Sequence, residues 1–455
     1  MSSALFTSIH SEAGRGGILA ACLAVVLCVG PSYGQAAAEY YAVSTADLPI
    51  HGNFAQTDNL PGEIYLPGDT RVLKITVSED TAVVMLSPEV LANLDEAMLT
   101  TLFDEFRKLF YDVPQVSNIQ ITCKGKLLSS YLPPAPDVTP LAVEAPATTY
   151  QMMTETTGLS GKSICIGPSH GRQWNGSSWG WQRGDSCGFG YEILEDTNSI
   201  RLMQYLHQYL TQDGAAVYVP RQLDETDCCH PSETRPFWHM AAYSWLYYEG
   251  YPCSVFGSNS GYCSSDLGPD RFNDDIRARP LFADYHNTDI YIAHHTNAYN
   301  GSASGTITYR DTAMEHPEHE ADSYTLALAV QSNVCNVITN VYGIGDWYNR
   351  GVADSAGGFG EIRIPDRPAC LIELAFHDNC TRDALFLIDP WFRSLTMWAI
   401  YKGVCDYFSV TPTWDLYSCE YVSDTIPSSM NPGQSYNVSI TFTNRGVLWD
   451  SDHGF

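Results

Sequence analysis

The sequence predicts an open α/β sheet, doubly wound and mostly parallel, over residues 157–410. A small α+β unit precedes it and an incomplete β-sandwich segment follows. Two observations carry this expectation. Ile164–Ile166, Ala215–Val219, Asp289–Ala293 (DIYIA) and Ala369–Ala375 (ACLIELA) are short, almost wholly apolar runs, as strands covered on both faces must be. Helical stretches alternate with them at Leu194–Leu210, Asp322–Ile338 and Trp391–Tyr407, the pattern of strand–helix–strand crossovers.

Taken in order, the chain begins with an address. Residues 1–38 hold an apolar run, Gly16–Gly30 (GGILAACLAVVLCVG), after Arg15, and Ala36-Ala37-Ala38 offers a small-residue cleavage site. The run is short for a membrane span, so a cleaved signal peptide is expected, with a secreted or periplasmic protein and no integral membrane span in the mature chain. Residues 58–133 form the α+β unit: β-rich runs at Val72–Val77 and Thr81–Leu86, a helix within Leu91–Tyr111, and a hairpin turning at Cys123-Lys124-Gly125. In the helix, Leu94, Met98, Leu102, Phe106 and Leu109 form one apolar stripe. Residues 134–156 are rich in Pro, Ala and Thr and read as a linker. Residues 223–271 form a long loop with a short helix at His239–Glu249, and residues 414–455 form a β segment in which Pro427–Trp449 alternates apolar and polar side chains like the start of an immunoglobulin-like module.

Bulk properties narrow the function. With 52 acidic against 24 basic residues the net charge is −28, which excludes a nucleic-acid partner, because a polyanion is repelled and no basic stretch offsets it. Of 14 cysteines, two lie in the expected signal, and Cys228, Cys229, Cys253 and Cys263 crowd into one loop region suited to disulfides in an oxidising compartment. Cys165 and Cys370 read as packed thiols.

The residues with chemical potential are those that interrupt the apolar pattern. His170 follows the first strand past a Gly-Pro break, in the loop at its carboxyl end, where open α/β sheets bind ligands. His294 and His295 end the DIYIA strand, and Glu195 opens a helix. Two imidazoles and a carboxylate make a catalytic zinc set with a fourth position free for water. Glu373 sits inside ACLIELA, where a carboxylate is costly to bury without a partner. It reads either as a desolvated general base or as half of an ion pair with Arg363 or Arg367. His316 and His319, in MEHPEHEAD, read as solvated surface.

Four segments in order resemble the zinc-dependent N-acetylmuramoyl-L-alanine amidases of the type-3 family: ICIGPSHGR, LEDTNSIRLMQYLHQYLTQDGAAVYVPR, DIYIAHHTNAYNGSASGTITYR and RPACLIELAFHDN. The resemblance implies Zn²⁺ held by His170, Glu195 and His295, Glu373 as the catalytic glutamate, and peptidoglycan as substrate. It favours His295 over His294, and Glu195 over Glu192 by its spacing to Gly214. Ser169 and Arg172 depart from the glycines of the family motif. Ala82–Ser87 and Pro114–Ile121 resemble a GerMN-type domain, which implies wall-associated protein partners for the N-terminal unit. Two alternatives stand beside the amidase: another zinc amidohydrolase or peptidase, and a non-catalytic peptidoglycan-binding protein.

Overall fold

A computed structural model describes residues 40–44, 48, 50–51, 63–111, 113, 116–141 and 158–450. The expected signal peptide and most of the linker lie outside these residues.

The N-terminal unit contains β1 (Tyr40–Ser44), β2 (Ile50–His51), β3 (Glu63–Pro67), β4 (Val72–Ser78), β5 (Thr81–Leu86), α1 (Glu96–Lys108), β6 (Asn118–Cys123) and β7 (Lys126–Leu127). Strands β2-β4-β5-β6-β7 form one sheet, while β1 pairs with β3. Asp95 caps α1 by accepting from Met98 N, and Arg107 and Lys108 lie in its last turn.

The second part contains β8 (Ser163–Pro168), β9 (Gln173–Trp174), β10 (Trp179–Gly180), α2 (Glu195–Gln212), β11 (Ala216–Tyr218), α3 (Ala242–Tyr248), α4 (Cys253–Phe256), α5 (Phe272–Tyr285) and β12 (Ile290–Asn297). It continues with β13 (Thr306–Arg310), α6 (Glu320–Val337), β14 (Asn349–Asp354), α7 (Gly360–Arg363), β15 (Ala369–Phe376), α8 (Asp383–Ile388) and α9 (Pro390–Tyr407). Its sheet runs β11-β8-β12-β15-β13-β14, and only the β15/β13 pairing is antiparallel. After it, β16 (Cys419–Asp424) and β17 (Ile440–Asn444) form an exposed antiparallel pair.

Sheet residues alternate between two buried faces. Ile164, Ile166, Ile290, Ile292, Cys370 and Ile372 pack on the α2, α6 and α9 layer. Cys165, Tyr291, Ala293, Ala369 and Leu371 face the other side, whose apolar cluster includes Leu99, Phe103 and Phe106 of α1. The N-terminal helix therefore covers part of a face that a doubly wound sheet must bury. Gly358 makes room for it, since a Cβ there would lie 2.4 Å from Phe103 Cδ2.

Among the elements that lie where none was expected are β13, β14 and α5. The early part of the linker is also tied down. Pro133 O accepts from Arg277, Ala135 N donates to Glu315 Oε2 and Leu141 N donates to Tyr285 O. Disulfides join Cys187 to Cys380 and Cys253 to Cys263, and Cys228 is bonded to its neighbour Cys229. Cys165 and Cys370 are buried free thiols, as expected. Among the described residues, no helix is long and apolar enough to cross a membrane.

Because Phe103 is buried between the two parts, Phe103→Ala should cost about 3–5 kcal/mol of stability. Thermal denaturation should show that loss as a lower midpoint for the second part as well as the N-terminal one; a midpoint unchanged for the second part would contradict the shared core.

Candidate active site and metal centre

The site forms at the carboxyl ends of β8, β12 and β15. His170 follows β8 in a loop shaped by backbone constraints. Its φ is +50°, and Gly171 has φ +125° with a virtual Cβ only 2.6 Å from Ala241 N, so only glycine fits there. The loop is pinned on both sides. Ser169 N donates to His294 O at 3.1 Å, Arg172 N donates to His239 O at 2.7 Å, and Ala241 N donates to Arg172 O at 2.9 Å. The buried Arg221 guanidinium donates to the carbonyls of Ser169, Asp196, Trp238 and Met240. Arg221 and the long loop 223–271 thus brace the flank that holds Ser169 and Arg172, and the buried Arg172 pairs with Glu233, 2.7 Å away.

Glu195 begins α2, and its Oε1 lies 3.3 Å from His170 Nε2 and 3.0 Å from His295 Nδ1. Ligand atoms of His170, Glu195 and His295 all fall within 4.8 Å of one another, and all three residues are buried. Strand alternation explains the choice between adjacent histidines. His295 shares the face of Tyr291 and Ala293, whereas His294 turns to the helix layer, where burial pushes its pKa down to about 3. Glu192 is not in the cluster; its carboxylate pairs with Arg201 and Arg393.

The imidazoles are oriented by groups the sequence did not reveal. Gln182 donates through Nε2 to Asp275 Oδ2 at 2.9 Å, so its Oε1, 3.1 Å from His170 Nδ1, must accept. A proton on Nδ1 leaves Nε2 of the neutral ring with a free lone pair on the side of Glu195. Burial, with Arg183 nearby, lowers the His170 pKa to about 3, so the ring is neutral at ordinary pH. His295 Nε2 lies 3.1 Å from Glu361 Oε1. Burial opposes charge on His295, but Glu361 and Glu195 prevail and raise its pKa to about 10. Glu361 is itself held by Arg279 and by Tyr291 OH at 3.1 Å, while Asp275 binds Arg279 at 3.1 Å. Desolvation works against the Glu361 carboxylate, yet Arg279 and His295 hold it down at about 2. Asp275 and Arg279 stand one turn apart on α5.

Glu373 lies on β15 directly across from His295 of β12. The expected alternative partners are engaged elsewhere: Arg363 with Glu96 and Glu315, and Arg367 with Asp284. The partner is Arg107 of α1, whose Nη2 is 3.2 Å from Glu373 Oε1, while Oε2 is buried without a hydrogen bond. Burial raises the Glu373 pKa to about 7 against the pull of Arg107 and His295. A cavity of about 130 Å³ joins His170, Glu195, His295 and Glu373, with Glu361 and Arg107 in its wall.

His316, Glu318 and Asp366 also bring ligand atoms together, but on the solvated surface, as expected. There the His316 and His319 rings share one oxygen of the exposed Asp366 carboxylate, at 3.2 and 3.1 Å.

Residues 164–406 match the family described as N-acetylmuramoyl-L-alanine amidase. An uncharacterized cell wall amidase of Bacillus anthracis is 31% identical over 137 residues, which is 30% of this chain and 24% of that relative. The chain thus matches about a quarter of the length of this relative. Among solved structures, the N-acetylmuramoyl-L-alanine amidase from Clostridium difficile 630 is 17% identical, with 55% of this chain and 97% of that chain covered and a TM-score of 0.35. The catalytic domain of CwlV, an amidase from Bacillus (Paenibacillus) polymyxa, is likewise 17% identical, with coverages of 55% and 99% and a TM-score of 0.35. Since the family match takes in more than half of its 455 residues, the chain belongs to the N-acetylmuramoyl-L-alanine amidase family.

Proposed function

We propose that the protein is an exported, zinc-dependent hydrolase that cuts the amide bond between N-acetylmuramic acid and L-alanine in peptidoglycan. The observation that carries this reading is the buried His170–Glu195–His295 cluster with a carboxylate, Glu373, on the neighbouring strand. Two imidazoles and one carboxylate are the donor set of a hydrolytic zinc site, and both rings have an outer partner, Gln182 and Glu361, of the kind that fixes a ligating histidine. Zinc bound there supplies Lewis acidity toward the amide carbonyl and toward water.

The chain's own residues do the rest. Glu373, desolvated and with Oε2 free, takes the proton of the attacking water and passes it to the departing L-alanine amine. His170 and His295 keep their orientation through Gln182 and Glu361. In this reading residues 157–410 are the catalytic domain, residues 1–38 a signal peptide, and residues 58–133 a GerMN-like unit for wall-associated partners.

Glu373→Gln should keep wild-type zinc content and lose about 100-fold or more in hydrolysis, the usual range for a proton-transfer group. His170→Ala should lose both zinc and activity. The assay is zinc content alongside release of L-alanine amino termini from purified peptidoglycan. Wild-type turnover in Glu373→Gln would sink the assignment, and other new termini would point to a different amidohydrolase or peptidase.

Glu361→Gln should weaken zinc binding about 10–100-fold, as loss of a ligand's outer partner does. Competition with a chelator of known affinity measures this, and unchanged affinity would refute the orienting role of Glu361.

A further inference from the structure

Helix α1 belongs to the N-terminal unit, yet one edge of it ends on the catalytic part. Glu96, Thr100, Phe103 and Arg107 are spaced by four, three and four residues, the repeat of a single helix face. Glu96 pairs with Arg363, and Thr100 Oγ1 donates to Gly358 O at 3.5 Å. Phe103 meets Phe359 edge-on at 4.9 Å, and Arg107 reaches Glu373. We propose that Arg107 is a positioning residue of the active site, so that the N-terminal unit completes the catalytic centre. This inference rests on the reading of Glu373 as the proton carrier.

A carboxylate that must take and return one proton needs one oxygen held and the other presented. Arg107 holds Oε1 of Glu373, and Oε2 remains buried with no hydrogen bond. Across the described residues, no other ion-pair partner of Glu373 replaces Arg107. The guanidinium is itself fixed from both parts of the chain. Its Nη2 also donates to Asn297 Oδ1 at 3.2 Å and its Nη1 to Tyr309 OH at 3.4 Å, on the catalytic side. From its own unit, Asp104 sits 2.9 Å from Nε, and the Tyr111 ring lies 5.4 Å from the guanidinium carbon. Tyr111 OH donates at 3.0 Å to the same Asn297 oxygen that receives Arg107.

The helix is a fixed wall and not a passing cover. Its Leu99, Phe103 and Phe106 belong to one buried cluster with Ile307, Tyr309 and Leu371 of the catalytic sheet. An interface of this apolar character resists relative domain motion. Thr100, Asp104 and Lys108 extend the same wall along the cavity.

The test uses the full chain, with Arg107→Met, Arg107→Ala and Glu373→Gln measured on soluble muramoyl-peptide and on purified peptidoglycan. Arg107→Met keeps the stem packing and should lower kcat at least tenfold with KM and zinc content unchanged. Added guanidinium should restore part of the kcat of Arg107→Ala. Wild-type or increased kcat in Arg107→Met would overturn the proposal, as would a loss of zinc with no rescue by guanidinium, which marks a purely structural role. Should Arg107→Met fail to fold, Arg107→Lys decides: a reduced kcat at unchanged KM supports positioning, and a wild-type kcat overturns it. If Glu373→Gln itself turns over normally, the underlying functional reading fails; if only the Arg107 variants do, this inference alone fails.

Discussion

A sheet buried on both faces admits a charged side chain only where a partner waits for it, and this constraint organises the site. Strands β8, β12 and β15 send alternate residues into two apolar layers. The layer formed by α2, α6 and α9 is largely apolar where it meets the strands. The opposite face, toward the strands' carboxyl ends, receives His295 and Glu373 side by side. Every charge placed there then demands another. Glu195 answers the two imidazoles, Glu361 answers His295, Arg279 answers Glu361, and Asp275 answers Arg279. Burying such a chain of charges is unfavourable unless each member is satisfied, which gives the site rigidity at a cost in intrinsic stability.

That demand explains what was legible in the sequence. His170, His295 and Glu373 stand out because each breaks an apolar strand or ends one, and Glu195 because it opens an amphipathic helix. The structure brings the three ligand candidates, His170, Glu195 and His295, together and sets Glu373 beside them. Their flanks were harder to read. Arg172 and Ser169 looked like departures from a glycine-rich loop, and the compensation comes from Arg221 and from the backbone of residues 239–241 in the long loop that follows.

The orienting groups were not legible, for a physical reason. Helix α5 is buried along nearly its whole length, including Asp275, Arg277 and Arg279, and it contains Pro280. Without a polar solvent face it shows no amphipathic stripe, and with a proline inside it reads as irregular chain. Glu361 belongs to a four-residue helix, too short for any periodicity. Strands β13 and β14 are rich in Thr, Arg, Asn and Asp, and lack the apolar run that marks a central strand. A signal for these residues existed only in their chemistry: an excess of charged side chains in segments too compact to be loops.

Helix α1 shows the limit most clearly. Its sequence displays one apolar stripe, Leu94, Met98, Leu102, Phe106 and Leu109, and that stripe does pack in the core, with Leu94 partly buried at its end. The opposite edge, carrying Glu96, Thr100 and Arg107, has the composition of a solvent-facing surface. It is covered because the second part of the chain supplies a partner for each group: a cation for Glu96, a carbonyl for Thr100 and a carboxylate for Arg107. Polarity along a helix edge therefore identifies water as the neighbour only when no complementary surface lies within the same chain. Here the complementary surface is the edge of the candidate site, and one helical turn beyond the apolar anchor Phe103 is what brings Arg107 to Glu373.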